Sequence, residues 1–250
     1  MNLLFPQTPT LFGPFHIGML FVILIVVVLF ARSIHPYEET RLIRMLHRLG
    51  LVMILMEIWK QWFTLRYVFD GVYNMWFFPW QLCSMAMYCS FLMPFLKTRA
   101  QNVLLVFLES FSFFAAIMAL AVPSDMLRPQ VFLCLHGFVY HGIMLMESIL
   151  AFLILKKRGG APFFPAVVLF LGMSAVAEAL NVFGHEVLKG RWPEPNMFYI
   201  TPYYPSTQLV CSYVAEQLGI IPEVILYTIA IILFSLVFYL IEEVIRKRCI

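Results

Sequence analysis

The sequence predicts an all-α protein, a polytopic bundle of transmembrane helices, and its composition is the first reason. Of the 250 residues, 62% are hydrophobic and only 12% are charged, and the mean hydropathy is +0.87. A soluble domain needs more polar surface than this to contact water. The second reason is that the apolar runs have the length of membrane helices, about 20 residues, whereas the strands of an outer-membrane barrel alternate over about ten.

The same composition excludes several other classes of protein. A net charge of +3 forms no basic stripe, so no nucleic acid is expected as a partner. The five cysteines follow no spacing that is typical of a disulfide scaffold. The histidines and cysteines lack the compact spacing of a structural zinc site, although His136, His141, His185 and Glu178 could meet in space around a catalytic metal. The sequence indicates no protein partner.

Seven apolar runs are interpreted as seven spans of a single transmembrane domain, residues 1–250. The first run consists almost entirely of Leu, Ile, Val and Phe, and no Lys or Arg precedes it, so we expect it to be retained and not cleaved as a signal peptide. The predicted spans are Phe15 to Ala31, Met45 to Phe69, Trp76 to Leu96, Asn102 to Val122, Val131 to Leu155, Phe163 to Val187 and Pro222 to Val244.

Lysines and arginines between the spans predict the direction of each span. One side of the bundle carries Arg32, Arg41, Arg44, Arg48, Lys97, Arg99, Lys156, Lys157, Arg158, Arg246, Lys247 and Arg248, and the other carries only Arg66, Arg128, Lys189 and Arg191. The positive-inside rule then places the N-terminus outside and the C-terminus in the cytoplasm. This orientation requires an odd number of spans, which seven satisfies.

One connection differs from the others in composition. Residues 188–221, between the sixth and seventh spans, are rich in Pro, Tyr and Asn around the stretch NMFYITPYYPSTQLV. We expect this segment to be external and ordered. It is either a hairpin that covers the mouth of the bundle or a re-entrant piece or lid over a pocket, because irregular backbone at membrane depth must be buried or hydrated.

Ionisable and polar side chains inside the spans are candidate functional residues, because each charge costs about 2.5 kcal/mol or more at the bilayer centre. Glu57 and Lys60 are three residues apart and share a helix face. They form either an internal ion pair or a pair with a direct catalytic role. Glu178, Asn181 and His185 form a polar stripe on the sixth span. A stripe of this kind is expected to line something polar.

A thiol and two histidines complete the candidate site. His136 and His141 are five residues apart, which rotates them by about 140° on a helix, so they share a site only at their common edge. Cys83, in the third span, is either a buried apolar cysteine or the reactive partner of a histidine. The predicted orientation places six of the candidates in the outer half of the membrane. They are Cys83, His141, Glu57, Lys60, Glu178 and Asn181. Glu109 and Glu147 lie deeper, where structural roles are favoured.

The sequence resembles, over most of its length, the YwaF-type bacterial integral membrane proteins, which are related to eukaryotic transmembrane protein 164. The resemblance suggests a bacterial cytoplasmic membrane protein. The segments that carry it are FGPFH at Phe12 to His16, Glu57 with Lys60, Gln61 and Trp62, PWQLC at Pro79 to Cys83, AVPSD at Ala121 to Asp125, His141 before an apolar stretch, and Asn196 before Pro202.

The resemblance implies lipid acyl chemistry, because the eukaryotic relative is a cysteine-dependent transacylase that moves a fatty acyl chain between phospholipids. In that relative the cysteine directly follows the proline and precedes a histidine. Here Trp80 and Gln81 occupy those places, and Cys83, one helical turn farther on, matches the bacterial pattern. His141 matches the family histidine better than His136 does.

These residues predict an acyltransferase that needs membrane lipids and no cofactor. Cys83 is the expected nucleophile and His141 the expected base. Lys60 is expected to hold a phosphate or favour the thiolate, and Gln81, Ser84 or Asn181 to stabilise the oxyanion. The remaining candidates for substrate binding or support are Glu57, His136, Glu178, His185 and Asn196. A small-solute binding or transport protein, using the same outward pocket without covalent chemistry, is the alternative.

Overall fold

The computed structural model describes residues 3–34, 36–188, 194–206 and 208–248. Throughout these ranges the regular elements are helical, with no strand beyond an isolated bridge between Leu4 and Gln130. The predicted all-α class is therefore confirmed. The helices are α1 Pro14–Ile34, α2 Glu39–Phe63, α3 Met85–Leu92, α4 Thr98–Phe107, α5 Phe113–Ala121, α6 Val131–Arg158, α7 Phe164–Leu188, α8 Leu209–Leu218 and α9 Ile220–Arg248.

Five stretches of the described chain are helical for long enough, and apolar enough, to cross a membrane. They are α1, α6, α7, α9 and the continuous helix Thr98–Ala121, in which the π-helical turn Leu108–Ser112 joins α4 to α5. Their lengths of 21 to 29 residues correspond to about 30 Å or more, which spans the hydrocarbon core of a bilayer. The structure therefore supports a multi-pass membrane protein.

The second and third predicted spans have a different form. Helix α2 is long, but its first half is rich in arginine, and it ends in the π-helical turn Thr64–Val68. The third predicted span, Trp76 to Leu96, is not one helix, because 3-10 turns lie before and after the eight-residue α3. Pro79 and Pro94 account for the interruptions, since proline supplies no backbone N–H and clashes with the preceding turn.

The packing places apolar surface on the outside. In the most apolar 18-residue windows of α6 and of Thr98–Ala121, 67% of residues are buried, compared with 11% in α1 and in α9. The outer helices expose large apolar side chains such as Phe21, Leu24 and Leu233. Exposed apolar faces of this size fit contact with lipid tails and would be unfavourable in water. The centre of the bundle is therefore α6 with the α4–α5 helix.

Ion pairs cross-link the helices near the C-terminal ends of α6 and α9. The guanidinium of Arg246 lies 2.8 Å from Glu109, with side-chain exposures of 3% and 0%, and 2.6 Å from Glu243. Arg158 likewise lies 2.6 Å from Glu39. Two arginines counted from the sequence as topology signals are thus also internal cross-links, and Glu109 has the structural role that the sequence favoured.

Gly50 allows the closest approach of α2 to α3, which sets up a test of this packing. A Cβ at Gly50 would lie 2.5 Å from the Phe91 amide nitrogen and 3.0 Å from the Met87 carbonyl oxygen, both backbone atoms. We expect Gly50→Ala to lower the free energy of unfolding by about 1–3 kcal/mol through overpacking. Thermal unfolding of the detergent-purified protein measures this as a lower Tm.

The matched control is Gly172→Ala in α7, where nothing in the described structure lies within 4 Å of the added Cβ. Alanine forms helix better than glycine, so this variant should keep or raise the Tm. An unchanged Tm for Gly50→Ala would contradict the close packing of α2 on α3.

Candidate functional site

His141 presents a basic nitrogen to the interior of the bundle. Its Nδ1 lies 2.7 Å from the Gly137 carbonyl oxygen. A carbonyl only accepts hydrogen bonds, so Nδ1 carries the proton and, in the neutral ring, Nε2 carries the lone pair. Nε2 is buried and has no hydrogen-bond partner among the described residues. This is the tautomer that a general base acting through Nε2 requires.

His16 shows the contrasting, fully satisfied arrangement. The Phe12 amide donates to its Nδ1 at 3.0 Å, and its Nε2 donates to the Leu120 carbonyl at 2.8 Å. Both ring nitrogens are therefore used to join the start of α1 to the end of α5. A histidine of this kind has a structural role, which sets His141 apart.

His136 faces a different direction from His141, as their spacing predicts. Its Nε2 donates to the Met56 carbonyl at 3.1 Å, and its ring stacks between Trp59 and Tyr140, with centroids 5.7 and 5.6 Å away. His136 also lines an open apolar groove of about 430 Å³ between α2 and α6. The other lining residues are Val52, Leu55, Met56, Trp59, Phe132, Leu135 and Val139.

Cys83 is the middle residue of the 3-10 turn Leu82–Ser84, and this turn directly precedes α3. Protein atoms surround it as densely as in the bundle interior, yet part of its surface remains accessible. The thiol therefore belongs to the wall of a crevice.

Lys60 is the neighbour that Cys83, His136 and His141 have in common. Its ammonium group is close enough to act electrostatically on all three. No hydrogen bond joins the Cys83 thiol to His141 in the described structure. The thiol and the imidazole thus share a charged neighbour without touching each other.

The predicted pairing of Glu57 with Lys60 is present. The Lys60 ammonium lies 2.7 Å from Glu57 Oε2. Gln61, one turn from Glu57, donates to Glu57 Oε1 at 2.6 Å and to the Phe77 carbonyl at 2.5 Å. The Gln61 amide thereby ties the ion pair to the backbone of the segment that leads to Cys83.

Two side-chain amides clamp the backbone of the loop 194–206 onto the bundle. Gln81 donates to the Asn196 carbonyl at 3.3 Å and accepts from the Phe198 amide at 3.0 Å. Asn181 donates to the Met197 carbonyl at 3.2 Å and accepts from the Met197 amide at 2.6 Å. Each amide satisfies one donor and one acceptor of the loop, as a neighbouring strand would.

The clamped turn holds strained backbone. Phe198 and Tyr199 both have φ of 58°, in the left-handed region, which costs about 1–3 kcal/mol for each non-glycine residue. The side chain of Asn196 braces the turn by accepting from the Thr201 amide at 3.1 Å. Phe198 is buried and stacks on Phe170 of α7. This packing and the two amide clamps over-determine the turn and offset its strain.

Asp125 fastens the outer edge of the loop, and the sequence did not single it out as a site residue. The Tyr199 hydroxyl donates to the Asp125 carboxylate, and the Trp76 ring packs edge-on against the Tyr199 ring at 5.9 Å. Burial, and then the Asp125 carboxylate, raise the pKa of Tyr199 well above its ordinary value. The hydroxyl therefore remains a donor at and above neutral pH.

His185 contacts the loop 194–206, and Glu178 contacts Asn181, which holds that loop. His185 Nδ1 lies 2.6 Å from the Glu194 carboxylate, and its ring stacks on Tyr203 at 3.6 Å. Glu178 is half-buried and contacts Asn181 at 3.4 Å. The predicted polar stripe of α7 therefore does line a polar feature, which is the loop 194–206. Lys189 and Arg191, counted as external charges, lie outside the described residues.

Tyrosines supply the polar neighbours of Cys83 that the sequence did not reveal. Tyr140, Tyr199 and Tyr227 are each close enough to interact electrostatically with the thiol. The Tyr140 hydroxyl is buried and, in the part of the chain that is described, has no hydrogen-bond partner. The position of Tyr140 next to His141 in the sequence could have indicated that it belongs to the site. Nothing in the sequence links Tyr227 of α9 to Cys83.

Removal of the Tyr199 hydroxyl tests how the loop is held. A hydrogen bond to a charged group contributes about 1.5–3 kcal/mol, so Tyr199→Phe should speed amide hydrogen exchange in residues 194–206 by about tenfold or more. Tyr213→Phe is the control, because Tyr213 is 63% exposed on α8. Equal exchange in wild type and Tyr199→Phe would show that the Asp125 contact does not hold the loop.

No group of three or more His, Cys, Asp or Glu side chains in the described ranges has the arrangement of a metal site. Comparison with protein families, curated proteins and solved structures gives no match to this chain. What the geometry offers is a partly accessible thiol, a free basic nitrogen and an ammonium group beneath a clamped loop.

Proposed function

We propose that this protein is a membrane-embedded acyltransferase or transacylase that moves a fatty acyl chain between lipids through a thioester on Cys83. The observation that carries the proposal is the free Nε2 of His141, a buried nitrogen without a hydrogen-bond partner in the described structure. The Lys60 ammonium is close enough to act electrostatically on both this imidazole and the Cys83 thiol. The resemblance to the YwaF-type family, of which we propose the chain is a member, supports the same chemistry.

The first half-reaction forms the acyl-enzyme. His141 Nε2 accepts the proton of the Cys83 thiol, and the thiolate attacks the ester carbonyl of a phospholipid. The new S–C bond replaces the ester C–O bond, and the proton moves from His141 to the departing oxygen, which releases a lysophospholipid. The hydrogen bond between nucleophile and base is often loose without substrate, so the absence of direct contact between Cys83 and His141 is compatible with this step.

The second half-reaction returns the acyl chain to another lipid. The hydroxyl of an acceptor lysolipid gives its proton to His141 Nε2 and attacks the thioester. The ester C–O bond forms, the S–C bond breaks, and the proton returns to the thiolate of Cys83. One ester replaces another, so the exchange has no large free-energy change and needs no cofactor.

Neighbouring residues have supporting roles in this scheme. Lys60, with His136 beside it, would hold a lipid phosphate by exchanging its ion pair with Glu57 for one with the phosphate. The Tyr140 hydroxyl is a better candidate for an oxyanion donor than Gln81 or Asn181, because both amides already hold the loop. The loop with Asn196, Glu178 and His185 acts as a lid that excludes water, which would hydrolyse the thioester.

The proposal includes the topology predicted from charge. We place α2 and the broken segment 75–96 in the membrane with the five long helices, which gives seven spans in one domain. The N-terminus is then outside, the C-terminus is in the cytoplasm, and residues 188–221 form the external lid. The membrane is the bacterial cytoplasmic membrane, and its lipids are the substrates.

Glu147 favours a second candidate function, the binding or transport of a small solute. Its carboxyl group is fully buried in α6 beside Ser90, without a hydrogen bond of normal geometry in the described structure. A transporter needs polar groups along the inner half of the bundle, and Glu109 is occupied by Arg246. Uptake that stops in Glu147→Gln and continues in Cys83→Ser would favour transport.

Two variants test the acyl-transfer proposal. Cys83→Ser should abolish acyl exchange, and His141→Gln should lower its rate by about 10²–10⁴-fold, because each removes one of the two reacting groups. The assay follows labelled phospholipid and lysophospholipid by mass spectrometry with the purified protein. Cys211→Ser, on the peripheral helix α8, is the matched control and should retain full activity. Full activity of Cys83→Ser or His141→Gln with unchanged Tm would eliminate the mechanism.

The acyl-enzyme itself gives an independent prediction. Rapid acid quenching of wild type during turnover should yield a Cys83 peptide heavier by one acyl chain, because the thioester is stable in acid. The adduct should disappear on treatment with neutral hydroxylamine and should accumulate in the absence of an acceptor lysolipid. An adduct on another residue would move the nucleophile away from Cys83.

A further inference from the structure

Three arginines form an exposed cationic face at the start of α2. Arg41, Arg44 and Arg48 are spaced by three and four residues, so they share one face of the helix. Together with Tyr37 and Met45 they line a groove of about 470 Å³. The groove lies directly after α1 ends at Ile34, and the acyl-transfer proposal does not use it.

The charge of this face is not balanced within the protein. No ion pair involves Arg41, Arg44 or Arg48 in the described ranges. Glu39, the acidic residue in the first turn of α2, is already bound by Arg158 at 2.6 Å. Like charges at this spacing destabilise a helix, so the arrangement becomes favourable when an anion binds between them.

The guanidinium groups are suited to a phosphate. The Arg41 guanidinium lies flat enough over the Tyr37 ring to be 3.5 Å from its centroid, which restricts the direction of its N–H groups. Arginine binds phosphate through two parallel hydrogen bonds, whereas lysine acts as a point charge. The groove thus offers directed donors and not only positive potential.

The position of the groove indicates a lipid as the source of that phosphate. Helix α1, which exposes apolar residues such as Leu24 and Leu29, ends at Ile34, three residues before Tyr37 of the groove. From Arg41 to Arg48 the helix rises by about 10 Å, which is long enough to cover the headgroup layer of about 5–8 Å on one side of a bilayer. Lys60 lies about 18 Å farther along α2 than Arg48, so this is a separate place.

We propose that this groove, lined by Tyr37, Arg41, Arg44, Met45 and Arg48, is a binding site for the phosphate headgroup of an anionic phospholipid. The proposal is independent of the acyl-transfer reaction. A cluster of basic residues next to a membrane helix attracts anionic lipids by charge alone. The groove geometry adds bidentate recognition, and the experiment separates the two.

The test is native mass spectrometry of the full chain in neutral detergent with dioleoyl phosphatidylglycerol or dioleoyl phosphatidylcholine. The central variant is Arg41→Lys/Arg44→Lys/Arg48→Lys, which keeps the charge and hence the topology signal, because the positive-inside rule counts both residues alike. Lys156→Gln/Lys157→Gln, on the same predicted side of the bundle, is the control. Elution volume and Tm establish that each variant is folded, and Arg44→Lys alone replaces the triple variant if that one aggregates.

We expect wild type to bind phosphatidylglycerol about tenfold more tightly than phosphatidylcholine. The lysine variant should lose most of this preference, and the control should keep it. Equal phosphatidylglycerol binding by wild type and the lysine variant would show that the arginines act only as a topology signal. That result would overturn the proposed site. Displacement of the lipid by millimolar inorganic phosphate would identify a free-anion site and would also overturn it. Acyl exchange should be unchanged in the lysine variant, so the two proposals fail separately.

Discussion

The structure depends on the rule that polar groups inside an apolar bundle must find partners within the chain. Water is scarce at these positions, and an unpaired polar group is costly there. Most polar residues obey the rule by bonding to backbone, as His16 does with both ring nitrogens and Ser148 does with two carbonyl oxygens. Several described groups are exceptions, and two of them, His141 Nε2 and the Tyr140 hydroxyl, belong to the candidate site. These two residues are consecutive on α6, and a role in catalysis would explain why their polar groups are left without partners.

The same rule explains why the irregular segments lie where they do. Proline interrupts the third apolar run, and the interruption leaves backbone groups that need partners. Tyr88 donates to the Pro79 carbonyl at 2.9 Å, and Trp80 donates to the Met173 carbonyl at 3.2 Å. The Tyr88 bond satisfies a carbonyl of the break, and the Trp80 bond joins the break to α7. The break places Cys83 just before α3 instead of in the middle of a long helix. The interruption of the helix thus gives the thiol its position.

Charged residues fall into two groups with opposite purposes, although the sequence makes them look alike. Arg158 binds the partly exposed Glu39, and Arg246 turns inward and binds Glu109, a carboxylate that would otherwise be buried alone. Breaking such a pair costs about 3–5 kcal/mol. Arg41, Arg44 and Arg48 point outward and have no carboxylate partner in the described structure. Only the surroundings of each guanidinium distinguish an internal cross-link from a surface that is suited to an external anion.

The sequence by itself determined the helical class, the membrane character and the faces of the longer helices, because apolar periodicity and length follow directly from local residues. It also identified Glu57 with Lys60 as a pair and Asn181 with His185 as a stripe, since residues three or four apart on a helix must be neighbours. Only the tertiary structure decided what those faces meet. The loop 194–206 receives Gln81 and Asn181, Tyr199 reaches Asp125, and Tyr227 of α9 comes close to Cys83. These contacts join residues far apart in the chain, and their formation depends on the packing of whole helices, which no local pattern encodes.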